Sequence, residues 1–109
     1  MPAPAEFLQG TVDILILQTL AQSPMHGYAI TRFLRDRSGE ELVIEGAALY
    51  QALHRLSRHE LVRSRWATSD TGRRVRVYEI SVKGKKHLAQ HADAWQRYSA
   101  AVTNVLRPA

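Results

Sequence analysis

The sequence predicts a mainly helical fold with one small β-hairpin, because the spacing of apolar residues changes twice along the chain. Helical spacing runs through three segments, 10–24, 26–41 and 46–59. Apolar and polar residues then alternate in 61–68 and 73–81, as in strands that bury one face. Helical spacing returns from 82 to about 106. With 109 residues, 45% of them hydrophobic, the chain suits one modest core.

The first two helices differ in how much of their surface is apolar. "GTVDILILQTLAQSP", residues 10–24, is apolar on most of its circumference, so we expect it to pack against both its own domain and another subunit. Thr11 is expected to cap this helix. "HGYAITRFLRDRSGEE", residues 26–41, is amphipathic, and Ser38-Gly39 is expected to stop it.

The third helix lies in "GAALYQALHRLSRHELV", residues 46–62, and combines an apolar face with a cationic one. Leu49, Leu53 and Leu56 recur at helical spacing and hold the helix on its core. Polar side chains stand between them: Gln51, His54, Arg55 and Arg58. The helix begins with the small residues Ala47 and Ala48, which leave room for a close approach to a ligand.

Two alternating runs, 61–68 and 73–81, are joined by the loop Ser69-Asp70-Thr71-Gly72, which predicts a β-hairpin. Alternate residues of both runs share one face: Val62, Ser64, Trp66, Arg76, Tyr78 and Ile80. Trp66 is expected to lie in the core. Arg76 either reaches a ligand or lies along the strand with its head group in solvent.

The last helix follows Ser81, which is expected to cap it. Residues spaced by four and three form a heptad-like seam along it: Leu88, Ala92, Trp95, Ser99, Val102 and Leu106. A second stripe lies beside this seam: Ala94, Tyr98, Ala101 and Val105. One stripe can pack on the parent domain and the other on a second copy of the chain. We therefore divide the chain into 1–81 and a dimerisation helix at 82–109, within one structural unit.

The positive charge of the chain is concentrated in one segment. The formal net charge is +5, and residues 61–86 alone carry eight cationic and two acidic side chains, a net +6. A localised basic patch is typical of a nucleic-acid binder. On charge alone, a solvated cationic surface with no charged partner explains the pattern equally well.

Several function classes receive no support. The chain has no cysteine, no Gly-rich phosphate loop and no catalytic Ser-His-Asp set, so we expect no enzyme and no cofactor. His87 and His91 are four residues apart, but no nearby carboxylate or thiolate completes a metal set. "MPAPAEF" does not resemble a signal peptide, and no apolar run approaches the ~18 residues of a membrane span. The expectation is a soluble cytoplasmic protein that does not bind membranes.

Three helices followed by a hairpin are the order of a winged helix-turn-helix. In that fold the third helix enters the major groove of double-stranded DNA, and the hairpin, or wing, reaches the adjacent backbone. Ala47 and Ala48 would then give clearance, while Gln51 and Arg55 would reach base edges or phosphates.

The sequence also resembles the PadR family of bacterial transcriptional regulators, in its short form with a single C-terminal helix. "GTVDILILQTL" is similar to the opening helix of that family, and "MHGYAI" to the start of its second helix. "LYQALHRL" resembles its recognition-helix signature, and "VYEISVKGKKHL" its wing strand and the start of its last helix. The resemblance implies a homodimer joined through the last helix.

This chain departs from the family pattern at a few positions. Ala47-Ala48 replaces the usual Gly-Ser or Gly-Thr, so a hydroxyl contact to phosphate is missing at Ala48. Gln51 replaces a usual proline and adds a side chain that can pair with adenine. Glu60 stands in the turn where glycine is usual. We therefore expect DNA binding with an altered site preference.

The predicted DNA-binding residues lie on the third helix and on the wing: Ala47, Ala48, Tyr50, Gln51, Arg55, Arg58, Arg73, Arg74 and Arg76. The tyrosine matching Tyr50 lies at the DNA surface in the family, although packing between helix and wing is the alternative. The predicted dimer or effector interface is the seam of the last helix together with Tyr98: Leu88, Ala92, Trp95, Tyr98, Ser99, Val102 and Leu106. Trp95 and Tyr98 either fill that interface or line a pocket for a small aromatic or hydrophobic effector.

The leading hypothesis is a sequence-specific repressor that binds a pseudo-palindromic operator as a homodimer. The alternative is a winged-helix adaptor that binds proteins and has lost sequence-specific DNA binding.

Overall fold

The computed structural model describes residues 4–108, and side chains from residue 10 onward. Within this part of the chain the elements follow in the order α1 (Pro4–Gln22), β1 (Met25–His26), α2 (Gly27–Arg37), α3 (Gly46–Arg58), β2 (Val62–Thr68), β3 (Arg74–Ile80) and α4 (Val82–Leu106). The predicted fold class is confirmed: a mainly helical protein with a small antiparallel sheet and a long final helix.

The sheet has three strands, in the order β1-β3-β2, where the sequence predicted two. The hairpin register pairs Val62 with Ile80 at the base and Thr68 with Arg74 near the loop. β1 adds Met25 opposite Tyr78 on the other side of β3. A strand of two residues is too short to show alternation, so periodicity could not reveal it.

The core forms where α1, α2 and α3 meet the base of the hairpin. Its members are almost fully buried apolar side chains from all of these elements: Ile16, Leu17, Leu20, Ile30, Leu34, Leu49, Ala52, Leu53, Leu56, Leu61, Val62 and Tyr78. The three leucines that the sequence assigned to the buried face of α3 are among them.

Two expectations about side chains are wrong. Thr11 does not cap α1, because that helix already begins at Pro4; its Oγ1 instead accepts a hydrogen bond of 3.0 Å from Trp95 Nε1. Trp66 is not in the core, since 54% of its surface is exposed. It lies towards the loop end of the hairpin, beyond the helices that cover Val62 and Tyr78.

Side chains cap two of the helices. His26 Nδ1 accepts a hydrogen bond of 3.2 Å from the Ala29 N–H at the start of α2. Ser81 Oγ accepts one of 3.0 Å from the Gly84 N–H at the start of α4, as the sequence predicted.

α3 ends in a Schellman turn that leads directly into the wing. The Leu61 N–H donates to the Leu56 carbonyl at 2.9 Å, and the Glu60 N–H donates to the Ser57 carbonyl at 3.0 Å. Glu60 therefore takes the left-handed conformation, with φ at 62°. Leu56 and Leu61 are both buried, which completes the apolar contact of this motif.

The start of α4 packs closely on the same turn. The Ser81 N–H donates to the Leu61 carbonyl at 3.0 Å, and Ser81 Oγ donates to the Glu60 carbonyl at 2.7 Å. A Cβ on Gly84 would overlap the Leu61 carbonyl oxygen, so only glycine allows this approach.

We predict that Glu60→Gly stabilises the protein by about 1 kcal/mol, because glycine adopts a left-handed φ without the steric cost that a Cβ carries there. The midpoint of urea unfolding should rise at unchanged slope. Glu60→Ala is the control, since it removes the same carboxylate but keeps the Cβ. An equal gain from both variants would assign the effect to charge.

Candidate nucleic-acid interface

The exposed side of α3 presents a short stripe of small and polar residues. Ala47, Gln51, His54 and Arg58 are spaced by four, three and four residues, and all are exposed. Ala48 is exposed beside them. The opposite side of the helix is buried in the core, so α3 is anchored on one face and open on the other.

Tyr50 lies at the junction of α3 with α2. It is 54% exposed, and its ring covers the backbone of Gly27 at the start of α2. A Cβ on Gly27 would lie 2.7 Å from the Tyr50 hydroxyl and 2.9 Å from Cζ. Gly27 therefore leaves the space in which the Tyr50 ring lies.

A groove of about 800 Å³ separates the start of α2 from the wing. Aromatic and cationic side chains predominate in its lining. They are Tyr28, Arg32, Tyr50, Trp66, Arg73, Arg74, Arg76 and Tyr78, and Asp70 adds one carboxylate. Tyr28 is 66% exposed, and Arg32 lies 5.9 Å from its ring centroid. A cationic groove with exposed aromatic rings is suited to phosphates and to flat groups.

The three predicted wing arginines are exposed and line this groove together. The guanidinium carbon of Arg74 lies 4.5 Å from the Trp66 ring centroid, and that of Arg76 lies 5.4 Å from it. Arg76 Nε also donates to Ser64 Oγ at 2.8 Å. Arg73 follows a tight loop in which Gly72 has a φ of 81°.

Arg55 does not join this surface, although the sequence placed it among the DNA-binding residues. Its Nη2 donates to Asp13 Oδ1 of α1 at 2.7 Å, and about three quarters of its side chain is buried. Burial raises the pKa of the Asp13 carboxyl, against the opposing effect of the Arg55 hydrogen bond and charge. This ion pair ties α3 to α1 inside the protein.

A second cleft, of about 350 Å³, lies beside this ion pair and is also lined by His59, Lys83 and His87. The His87 and His91 rings stack with centroids 4.0 Å apart. Burial, and then the neighbouring His91, lower the pKa of His87. In the part of the chain that the structure describes, no group of three His, Cys, Asp or Glu side chains is arranged to hold a metal ion.

The predicted interface residues of α4 separate into two groups. Leu88, Ala92, Trp95 and Ser99 are partly buried, and Trp95 contacts α1 through Thr11. The others are exposed near the C-terminal end: Tyr98 and Val102 at 36% and 37%, and Leu106 at 76%. Val105 of the second predicted stripe is 83% exposed. Apart from Val82 at its start, which is 70% exposed, the large exposed apolar side chains of α4 therefore lie towards its end.

Sequence reasoning missed two parts of the groove. Tyr28 was not among the predicted site residues, and Trp66 was assigned to the core. The signal for Trp66 was its cross-strand partner: it lies opposite Arg76, and an arginine opposite a tryptophan near a hairpin loop favours an exposed face.

None of the described helices is both long enough and apolar enough to cross a membrane.

Three helices followed by a hairpin, with a cationic groove beside the third helix, define a winged helix-turn-helix of the kind that binds DNA. A family model described as the transcriptional regulator PadR-like family matches residues 16–90. The chain belongs to this family, whose members are transcriptional regulators.

Solved structures agree with this assignment. A transcriptional regulator from Clostridium thermocellum matches with a TM-score of 0.83 at 25% identity, over 97% of this chain and 100% of that one. A PadR family transcription regulator from Clostridium difficile R20291 matches with a TM-score of 0.72 at 29% identity, over 85% of this chain and 94% of that one.

One curated relative is similar in sequence. It is an uncharacterized 37.1 kDa protein in transposon TN4556 of Streptomyces fradiae, 35% identical over 90 residues. The match covers 83% of this chain, which spans only 24% of the length of that protein.

We predict that Arg55→Met destabilises the protein by about 1–2 kcal/mol at neutral pH, because it leaves the largely buried Asp13 carboxylate without its cation. The pKa of Asp13 is already raised in the folded state, and loss of Arg55 raises it further. Protonated Asp13 is tolerated, so stability is retained at low pH and lost as the pH rises through the folded pKa. The deficit should therefore be smaller near pH 4 than at neutral pH.

Urea unfolding at both pH values measures this. Arg58→Met is the matched control, since Arg58 is exposed on the same helix, and it should change stability by less than about 0.5 kcal/mol. Equal losses at the two pH values would mean that Arg55 stabilises through packing alone.

Proposed function

We propose that this protein is a repressor that binds a pseudo-palindromic operator as a homodimer. The observation that carries the proposal is that Tyr50 of α3 and the arginines of the wing line one groove, beside the exposed stripe of α3. The region to residue 81 would bind DNA, and 82–109 would form the dimer, as one structural unit.

In this proposal α3 enters the major groove with its N-terminal end first. Ala47 and Ala48 are small and exposed, so the backbone can approach the base edges. Gln51, one turn further, can pair with adenine through two hydrogen bonds. Arg58, at the exposed end of the helix, would contact a phosphate.

The wing would bind the backbone beside that major groove. Arg73, Arg74 and Arg76 would neutralise phosphates and fix the register of α3. Tyr50 would reach a phosphate from the other side of the groove. Arg55 has a different role here: its ion pair with Asp13 would hold α3 at a fixed angle to α1.

Dimerisation would use the exposed apolar end of α4. Val102, Val105 and Leu106 offer apolar surface that a second copy of the chain could bury. A two-fold dimer would place two α3 helices about 34 Å apart, one turn of DNA. An effector that binds near Trp95 and Tyr98 would change the angle between the DNA-binding regions of the two subunits, because Trp95 is hydrogen-bonded to α1.

Selection from a random duplex pool, at low and moderate salt, tests the function. We expect an enriched two-fold site with half-sites about ten base pairs apart. Arg73→Ala with Arg74→Ala should then weaken binding at least tenfold and reduce the dependence of log Kd on log salt by about two. Lys85→Ala with Lys86→Ala, on α4, is the charge-matched control.

Binding without enrichment, lost steeply with salt, would contradict sequence-specific repression. It would favour the adaptor function, in which the wing binds phosphates but α3 reads no sequence.

We predict that Val105→Asp shifts the protein from dimer to monomer, because a carboxylate in an apolar interface loses its hydration. Sedimentation at several protein concentrations measures this. Ala100→Asp, on the other side of α4, should leave the dimer intact. If both variants remain dimers, the interface lies elsewhere.

A further inference from the structure

Trp66 is an exposed indole in the groove, with the guanidinium groups of two wing arginines near its ring. Tryptophan side chains are mostly buried in folded proteins. Trp66 is instead 54% exposed and does not belong to the hydrophobic core. It lies on the same face of the wing as Arg74 and Arg76, since Trp66 pairs with Arg76 and Thr68 with Arg74 across the hairpin. This is the face that lines the groove.

The geometry restricts both arginines. Their guanidinium carbons lie 4.5 Å and 5.4 Å from the Trp66 ring centroid, within the range of a cation–π interaction. A hydrogen bond restrains Arg76 further, since its Nε donates to Ser64 Oγ at 2.8 Å. Free arginine side chains at a hairpin end would sample many rotamers, and each would lose that freedom on binding a phosphate.

We propose that Trp66 is a positioning residue for DNA binding, which holds Arg74 and Arg76 over the groove before a phosphodiester strand enters it. The inference rests on the proposed function, and it adds a residue that the sequence had placed in the core. A cation–π contact leaves the N–H groups at the edge of the guanidinium plane free for phosphate oxygens. Trp66 can therefore order the arginines without occupying the atoms that bind DNA.

The test uses two substitutions of Trp66. Trp66→Val keeps a strand-forming side chain but removes the aromatic face. Trp66→Phe keeps an aromatic face. We expect Trp66→Val to weaken binding to a labelled mixed-sequence duplex of about three helical turns by three- to tenfold, whereas Trp66→Phe stays within about twofold of the wild type. Thermal midpoints of both variants should match the wild type, because Trp66 lies outside the core.

A double-mutant cycle separates positioning from direct contact. In a variant that carries Arg74→Ala and Arg76→Ala, Trp66→Val should change the Kd by less than about twofold, because the side chains through which Trp66 acts are gone. An additive loss would mean that Trp66 contacts DNA itself and would overturn the inference. So would full affinity of Trp66→Val, or equal losses in the Val and Phe variants.

Failure of the proposed function gives a different result. In that case the wild type binds the duplex no better than the variant without Arg74 and Arg76. If the wild type binds more tightly than the arginine variant, while Trp66→Val binds as tightly as the wild type, the proposed function stands and only the role of Trp66 is refuted.

Discussion

The turn at residues 59–61 is the constraint on which the functional surface depends. It ends α3, begins the wing and receives the start of α4. The Leu61 carbonyl accepts from the Ser81 N–H, and Ser81 Oγ donates to the Glu60 carbonyl. Gly84 lets α4 approach the Leu61 carbonyl more closely than any other residue could. One hydrogen-bonded junction therefore sets the positions of α3, the wing and the last helix relative to one another.

Helix α1 fixes the same parts from the opposite side. Ile16 and Leu17 are fully buried in the core, and two polar contacts extend from α1 to the elements around it. Asp13 pairs with Arg55 of α3, and Thr11 accepts from Trp95 of α4. Trp95 is therefore joined to α1 directly by a hydrogen bond. The Asp13–Arg55 pair continues this contact to α3, so α1 connects the last helix with the third helix.

The sequence predicted most of the fold and only part of the site. Helical spacing fixed the buried face of α3, and alternation fixed which hairpin residues share a face. Periodicity states which side of an element is apolar, but not how far the core extends along it. Trp66 was assigned to the core for that reason, although the wing projects beyond the helices. The partner of Arg55, 42 residues away in the chain, follows only from the packing of α3 on α1.

The same distinction explains where the charge of the site resides. Spacing alone treats all cations on α3 and the hairpin as equivalent, whereas the fold gives some of them an acidic partner. Arg55 is neutralised by Asp13, and Arg63, on the other face of the wing, lies 3.7 Å from Glu79. No ion pair of the described residues joins Arg73, Arg74 or Arg76 to an acid, and the last two lie over the Trp66 ring instead. An aromatic ring restrains an arginine without cancelling its charge. Arg74 and Arg76 thus keep their positive charge in restricted positions, although the carboxylate of Asp70 also lines the groove. Cations restrained in this way are suited to phosphate groups.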